Sequence, residues 1–170
     1  MTIFSRALKP LTAVAFFGIL LSSASCAADS TPKPVFEIQR VYLKELELKE
    51  PNSPAIFLET EQPKISVTAS VESSPISADI YEVVVGIVVT GRIKNKVAFT
   101  VSAKEAGIFH IKDVPAIQMH TLHGVGCPNI IYPYLRANIA DAITRAGFPP
   151  VHLAEINWET YYEQEKKRKK

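Results

Sequence analysis

His120, His123 and Cys127 give the spacing H-x2-H-x3-C, and imidazole with thiolate is a donor set that suits zinc. Three donors, with Pro128 directly after the last, fall short of the four that a structural site closes around the metal. The same cysteine opens a second chemistry, a Cys127 thiolate as nucleophile with His120, His123 or His152 as its base. That needs an orienting third residue and an oxyanion hole, and nothing in the sequence fixes either. The 7 glycines are scattered, so no loop is built to cradle a phosphate. Side chains that perform reactions are thin here, while apolar residues make up 47% of the chain. The expectation is a binding protein with no cofactor and no metal, not an enzyme.

The elements that would carry such a surface can be read in order. "VFEIQRVYLKELELK" alternates at Phe36 and Ile38 and again at Leu46 and Leu48, with Val41 to Leu43 breaking the phase as a bulge would. Glu50 to Pro63 is a loop: Pro51, Pro54 and Pro63 flank the short apolar patch Ile56, Phe57, Leu58. "KISVTASVE" alternates strictly, and "IYEVVVGIVVTGRI" is apolar on both faces from Val83 to Val89, so one side must meet a core and the other a second layer or another subunit. Lys94 to Lys96 is a hairpin turn, after which Val97, Phe99, Val101 and Ala103 share one face.

Past Cys127 the period changes to that of a helix. Ile131, Leu135, Ile139 and Ile143 form a stripe that Ala142 and Ala146 thicken. Gly147 stands where a helix turns into the left-handed conformation, and Pro149 and Pro150 forbid continuation. A second helix starts near Asn157, with Ile156 and Tyr161 placed as a hydrophobic staple and Glu159 in the first turn. Four strands followed by helices predict an α+β fold, a four-stranded antiparallel sheet covered by C-terminal helices.

The first residues are different in kind. Arg6 and Lys9, the apolar run Leu11 to Leu21 and the small residues "SSASCAA" follow the three-part pattern of a secretory leader. That run is shorter than the roughly 20 residues a membrane span needs, so no stable insertion is expected. Residues 1–30 are therefore set apart as a signal-like or mis-started extension, residues 34–163 as the folded domain, and residues 164–170 as a basic tail. Lys and Arg number 19 against 17 Asp and Glu, a balance that draws no nucleic acid.

The run from Phe36 to about Glu163 resembles the SecB family, export chaperones of Gram-negative bacteria. The resemblance is carried by "FEIQRVYLKEL", "EPNSPAIF", "YEVVVGIVVT", "AGIFHI", "CPNIIYPYLRANIADAITRAGFPPV" and "HLAEIN". It implies a cytoplasmic homotetramer, a dimer of dimers, whose apolar grooves hold unfolded precursor proteins without ATP for delivery to the ATPase SecA. It implies that Ile56, Phe57 and Leu58 lie in the peptide-binding region, and that Phe99, Val101, Ala103 and Glu105 face the tetramer interface. Glu45 matches an acidic position for SecA docking, whereas Lys49 and Ser102 stand where the family is expected to carry further carboxylates. A functional leader would instead send a SecB-like protein to the periplasm or a lipid anchor.

Overall fold

In the computed structural model, which describes residues 33–168, strands β1 (Val35–Lys49), β2 (Lys64–Ser77), β3 (Ile80–Ile93) and β4 (Lys96–Lys112) form one antiparallel sheet in the order β1-β4-β3-β2. Consecutive strands β2, β3 and β4 are joined by tight turns, but β1 crosses over to pair with β4. The β3–β4 turn falls on Lys94 and Asn95, both at positive φ (46° and 67°), the geometry whose twist matches two paired strands. In β1 the register slips between Ile38 and Arg40 and again between Leu43 and Glu45. Two bulges therefore bracket the out-of-phase segment, and Leu46 and Leu48 return to the same face as Phe36 and Ile38.

The helical half is longer than its sequence pattern predicts. Helix α1 (Ala116–Thr121), a π turn (Leu122–Gly126) and α2 (Cys127–Arg145) follow one another with helical backbone at each junction. Of these three segments only α2 has a regular apolar stripe, so only α2 among them is visible as a helix in the sequence. Its end is where the sequence puts it: Ala146 caps it, and Gly147 adopts φ +85°, which costs a residue without Cβ nothing. Helix α3 (Trp158–Arg168) is capped by Asn157, whose side-chain oxygen accepts from the Thr160 N–H at 2.9 Å. Residues 164–168 thus belong to α3 and are not a separate tail, while the signal-like extension lies outside the described residues.

The core lies between α2 and one face of the sheet. Val83, Val85, Ile87 and Val89 of β3 and Phe99, Val101, Ala103 and Phe109 of β4 are buried with Ile131, Leu135, Ile139 and Ile143 of α2. Burying each aliphatic side chain in that stripe contributes about 2 kcal/mol. Trp158 locks α3 on: it is 2% exposed and meets Tyr132 and Tyr161 edge-on at ring distances of 5.5 Å. Tyr132 in turn donates its hydroxyl to the Ala154 carbonyl at 2.7 Å, pinning the segment between α2 and α3.

Candidate binding surfaces

The metal and nucleophile chemistries do not assemble. Cys127, the first residue of α2, is buried in the core, and burial pushes its thiol up to about 12, so it is not a nucleophile near neutral pH. His120 and His123 line a groove between the sheet edge and α3, of which Cys127 is not a wall. Among the described residues, no group of three or more His, Cys, Asp or Glu could hold a metal ion.

The Ile56–Leu58 patch divides into three environments. Residues Ala55–Leu58 make one 3-10 turn inside the loop, anchored where the Asn52 amide donates to the Val97 carbonyl at 2.9 Å. Ile56 is 2% exposed and belongs to the core, so it cannot line an open surface; it is an anchor. Phe57 leans on Phe148 at 5.1 Å, and Phe148 on Phe99 at 4.9 Å. Leu58 is 85% exposed. The anchor fixes the backbone of the turn, and the aromatic chain leaves the Phe57 ring little freedom to lose on binding.

The face expected to join protomers is closed from within. Phe99, Val101, Ala103 and Glu105 are 0%, 0%, 1% and 3% exposed, covered by α2 of the same chain. The expectation of an open apolar face fails because the α2 stripe and this face are two halves of one core. Assembly through these residues would act through α2, not by direct contact. The apolar surface left open lies elsewhere, on edge strand β1. There Phe36, Ile38, Leu43, Leu46 and Leu48 are exposed, and the backbone edge is unpaired.

A groove missed by sequence reasoning lies at the opposite edge of the sheet. A cavity of about 730 Å³ runs between β2 and α3, with Ala69, Val71, Tyr81, His123, Tyr161 and Tyr162 among its walls. Tyr161 spans it by donating to the Ala69 carbonyl at 3.0 Å. Gly124 lets α3 come close, since a Cβ there would meet the Tyr162 ring at 2.3 Å. Strict alternation in β2 was the available signal: Ile65, Val67, Ala69 and Val71 share one side, yet Ile65 and Val67 stay exposed.

The other face of the sheet is apolar along β3, where Val84 is buried and Val88 exposed, and charged toward β1, where it is nearly self-neutralised. Glu45 accepts from Lys104 at 2.7 Å, Glu47 pairs with Lys49 at 2.8 Å, and Lys44 bridges both oxygens of Glu82 at 2.9 and 2.8 Å. Lys44 and the Tyr42 hydroxyl hold the Glu82 carboxyl below the usual carboxylate range. Ser102, opposite Glu47 on β4, adds no charge.

Residues 29–169 match the family described as Preprotein translocase subunit SecB. The chain is 61% identical over 137 residues to the protein-export protein SecB of Janthinobacterium sp. (strain Marseille), covering 81% of this chain and 84% of that one. It is 58% identical over 132 residues to its counterpart in Acidovorax sp. (strain JS42), covering 78% and 88%. In fold it is similar to a SecB-like chaperone of Mycobacterium tuberculosis, solved in complex with an antitoxin peptide, with TM-score 0.60 at 15% identity over 71% of this chain and 90% of that one.

Proposed function

Because the chain belongs to the SecB family of protein-export chaperones, we propose that it holds unfolded precursor proteins along its open apolar surfaces, without ATP, and passes them to SecA. The carrying observation is the β2/α3 groove: a largely apolar concavity beside a sheet edge that no fifth strand pairs, where the Tyr161 hydroxyl engages the Ala69 carbonyl. An extended chain satisfies its own backbone on such an edge while alternate side chains enter the groove, a mode that needs little sequence specificity. Phe57 and Leu58 offer a second apolar contact on the α2 side. Holding of this kind asks for no catalytic group, and the buried, protonated Cys127 thiol fits that reading.

The test is suppression of aggregation of a reduced, unfolded client in the absence of nucleotide. Wild-type protein should slow aggregation at stoichiometric amounts, and Phe57→Ser with Leu58→Ser should weaken client affinity by about tenfold, the loss expected from trimming two partly exposed apolar side chains. Circular dichroism should show the fold unchanged, since Ile56 keeps the loop anchored. Equal affinity in the double variant would assign Phe57 and Leu58 to structure alone.

We propose further that copies assemble through edge strand β1 and its exposed stripe, giving a dimer that associates into a tetramer. SecA docking is assigned to Glu45 on the charged part of that other sheet face, where Lys104 must be displaced before a cationic partner can pair with it. Affinity should accordingly be modest and shallow in its salt dependence. Lys49→Glu with Ser102→Glu should tighten SecA binding several-fold, mainly through faster association, as read by surface plasmon resonance at two ionic strengths. An unchanged association rate would move docking off this face.

The cytoplasm is the compartment this function requires. The leader-like run from Arg6 to Ala28 supports a second reading, an exported or lipid-anchored chaperone, and the N-terminus and mass of the protein in cells decide between them.

A further inference from the structure

His123 occupies a place in the groove that apolar binding alone does not explain. It sits in the π turn, its ring packs on Tyr81 at 4.8 Å, and its Nδ1 lies 3.1 Å from the Ser73 hydroxyl of β2. Its Nε2 is buried with no hydrogen-bond partner. Among the described residues, no carboxylate pairs with it. The groups that share its surroundings are His120 from α1, Tyr81 from β3, and Glu72 and Ser73 from β2. From α3 come Tyr162 and the rim charges Glu165, Lys166 and Arg168, of which Glu165 is already engaged by Arg168 at 2.7 Å and Lys166 stands over the Tyr162 ring at 5.5 Å.

We propose that His123 is an acid-release switch for clients held between β2 and α3, so that the groove binds when the imidazole is neutral and lets go when it is protonated. This rests on the client-binding reading of the groove given above. The neutral ring serves as part of an apolar floor. Protonation adds a second N–H and a full charge; Glu165 is engaged by Arg168, and Glu72 alternates with Ser73 onto the opposite face of β2, so neither is placed to receive them, and a bound client covers that charge further. Burial first, and the neighbouring His120 second, already hold His123 below the usual histidine range in the free protein. Client binding deepens that depression. By linkage, protons that bind the free groove better than the occupied one drive the client off. Affinity is thus full above the ordinary histidine value of about 6.5 and declines as pH falls through the value His123 has in the free protein.

The experiment uses the full chain and a synthetic apolar peptide that contains no histidine, with affinity followed by fluorescence anisotropy from about pH 7.5 to about pH 5. Wild-type affinity should fall several-fold over this range, toward the roughly tenfold limit set by a one-unit difference between free and occupied protein. His123→Leu should flatten the profile, its affinities at the two ends of the range being equal whatever their level, and His120→Gln should keep the fall while moving its midpoint upward. Imidazole NMR signals of His123 should shift on peptide addition. A His123→Leu profile as steep as wild type, or a fall that vanishes in His120→Gln instead, overturns the switch while leaving the groove as the binding site. Peptide binding that leaves the His123 signals unmoved overturns the groove reading and the switch together.

Discussion

Val101→Asp is expected to unfold the domain, not merely to part an assembly. Val101 is 0% exposed, lies directly opposite Val89 on β3, and belongs to the core that α2 closes. An aspartate there loses the valine's burial and leaves a carboxylate with no cation in reach. Glu105 is the one charged residue buried among the described residues, and it has an amide partner that the introduced carboxylate would lack. The combined cost is about 4 kcal/mol or more, a large share of the roughly 5–15 kcal/mol that holds an ordinary domain together. Thermal unfolding should show the transition lowered by tens of degrees or absent. Leu46→Asp provides the contrast: Leu46 is exposed on edge strand β1, so a charge there should leave the unfolding temperature almost unchanged and lower the mass in light scattering. A folded Val101→Asp protein of reduced mass would restore the β4 face as a direct interface. An unchanged mass in Leu46→Asp would remove β1 from assembly.

That contrast marks where sequence reading stops. Period and punctuation are local, and wherever they alone decide, the chain is legible: the Lys94–Asn95 turn, the end of α2 at Gly147 and the Asn157 cap all fall where residue type requires them. What an apolar face meets is not local. The stripe of α2 and the face of Phe99 and Val101 each demand cover, and one chain cannot announce from its sequence that they cover each other. Ile56, Phe57 and Leu58 read as one patch, yet a single 3-10 turn sends Ile56 inward and Leu58 into solvent. The region Ala116–Gly126 lacks a signal of either kind, since Gly124 and Gly126 interrupt any helical stripe. The groove it helps to form was hidden with it, along with the place of His123. The family was legible throughout, because its motifs are long and fall in order.

Glu105→Gln should raise stability at neutral pH by about 2 kcal/mol, with a gain that disappears in acid. Glu105 sits on the core face of β4 between the sheet and α2, 3% exposed, and accepts one hydrogen bond, from the Asn138 amide of α2 at 2.8 Å. Burial raises its carboxyl above the usual range, and the Asn138 hydrogen bond offsets this only in part. A carboxyl whose folded value is raised favours the folded state while it is protonated. Its contribution is intact below the unfolded value of about 4.3 and is lost as pH rises through the folded value. At neutral pH the native protein must therefore either bury a charge or keep a proton against the solvent. Glutamine keeps the shape, still accepts from Asn138 and cannot ionise, so it avoids that cost, although its NH2 brings two donors of its own. Urea unfolding of both proteins from about pH 4 to about pH 8 reads the difference directly: the curves should coincide at the acid end and separate upward. Parallel curves across that range would mean that Glu105 does not change protonation on folding. A less stable glutamine variant at neutral pH would mean that the carboxylate, held by Asn138, is worth more to the contact between α2 and β4 than its burial costs.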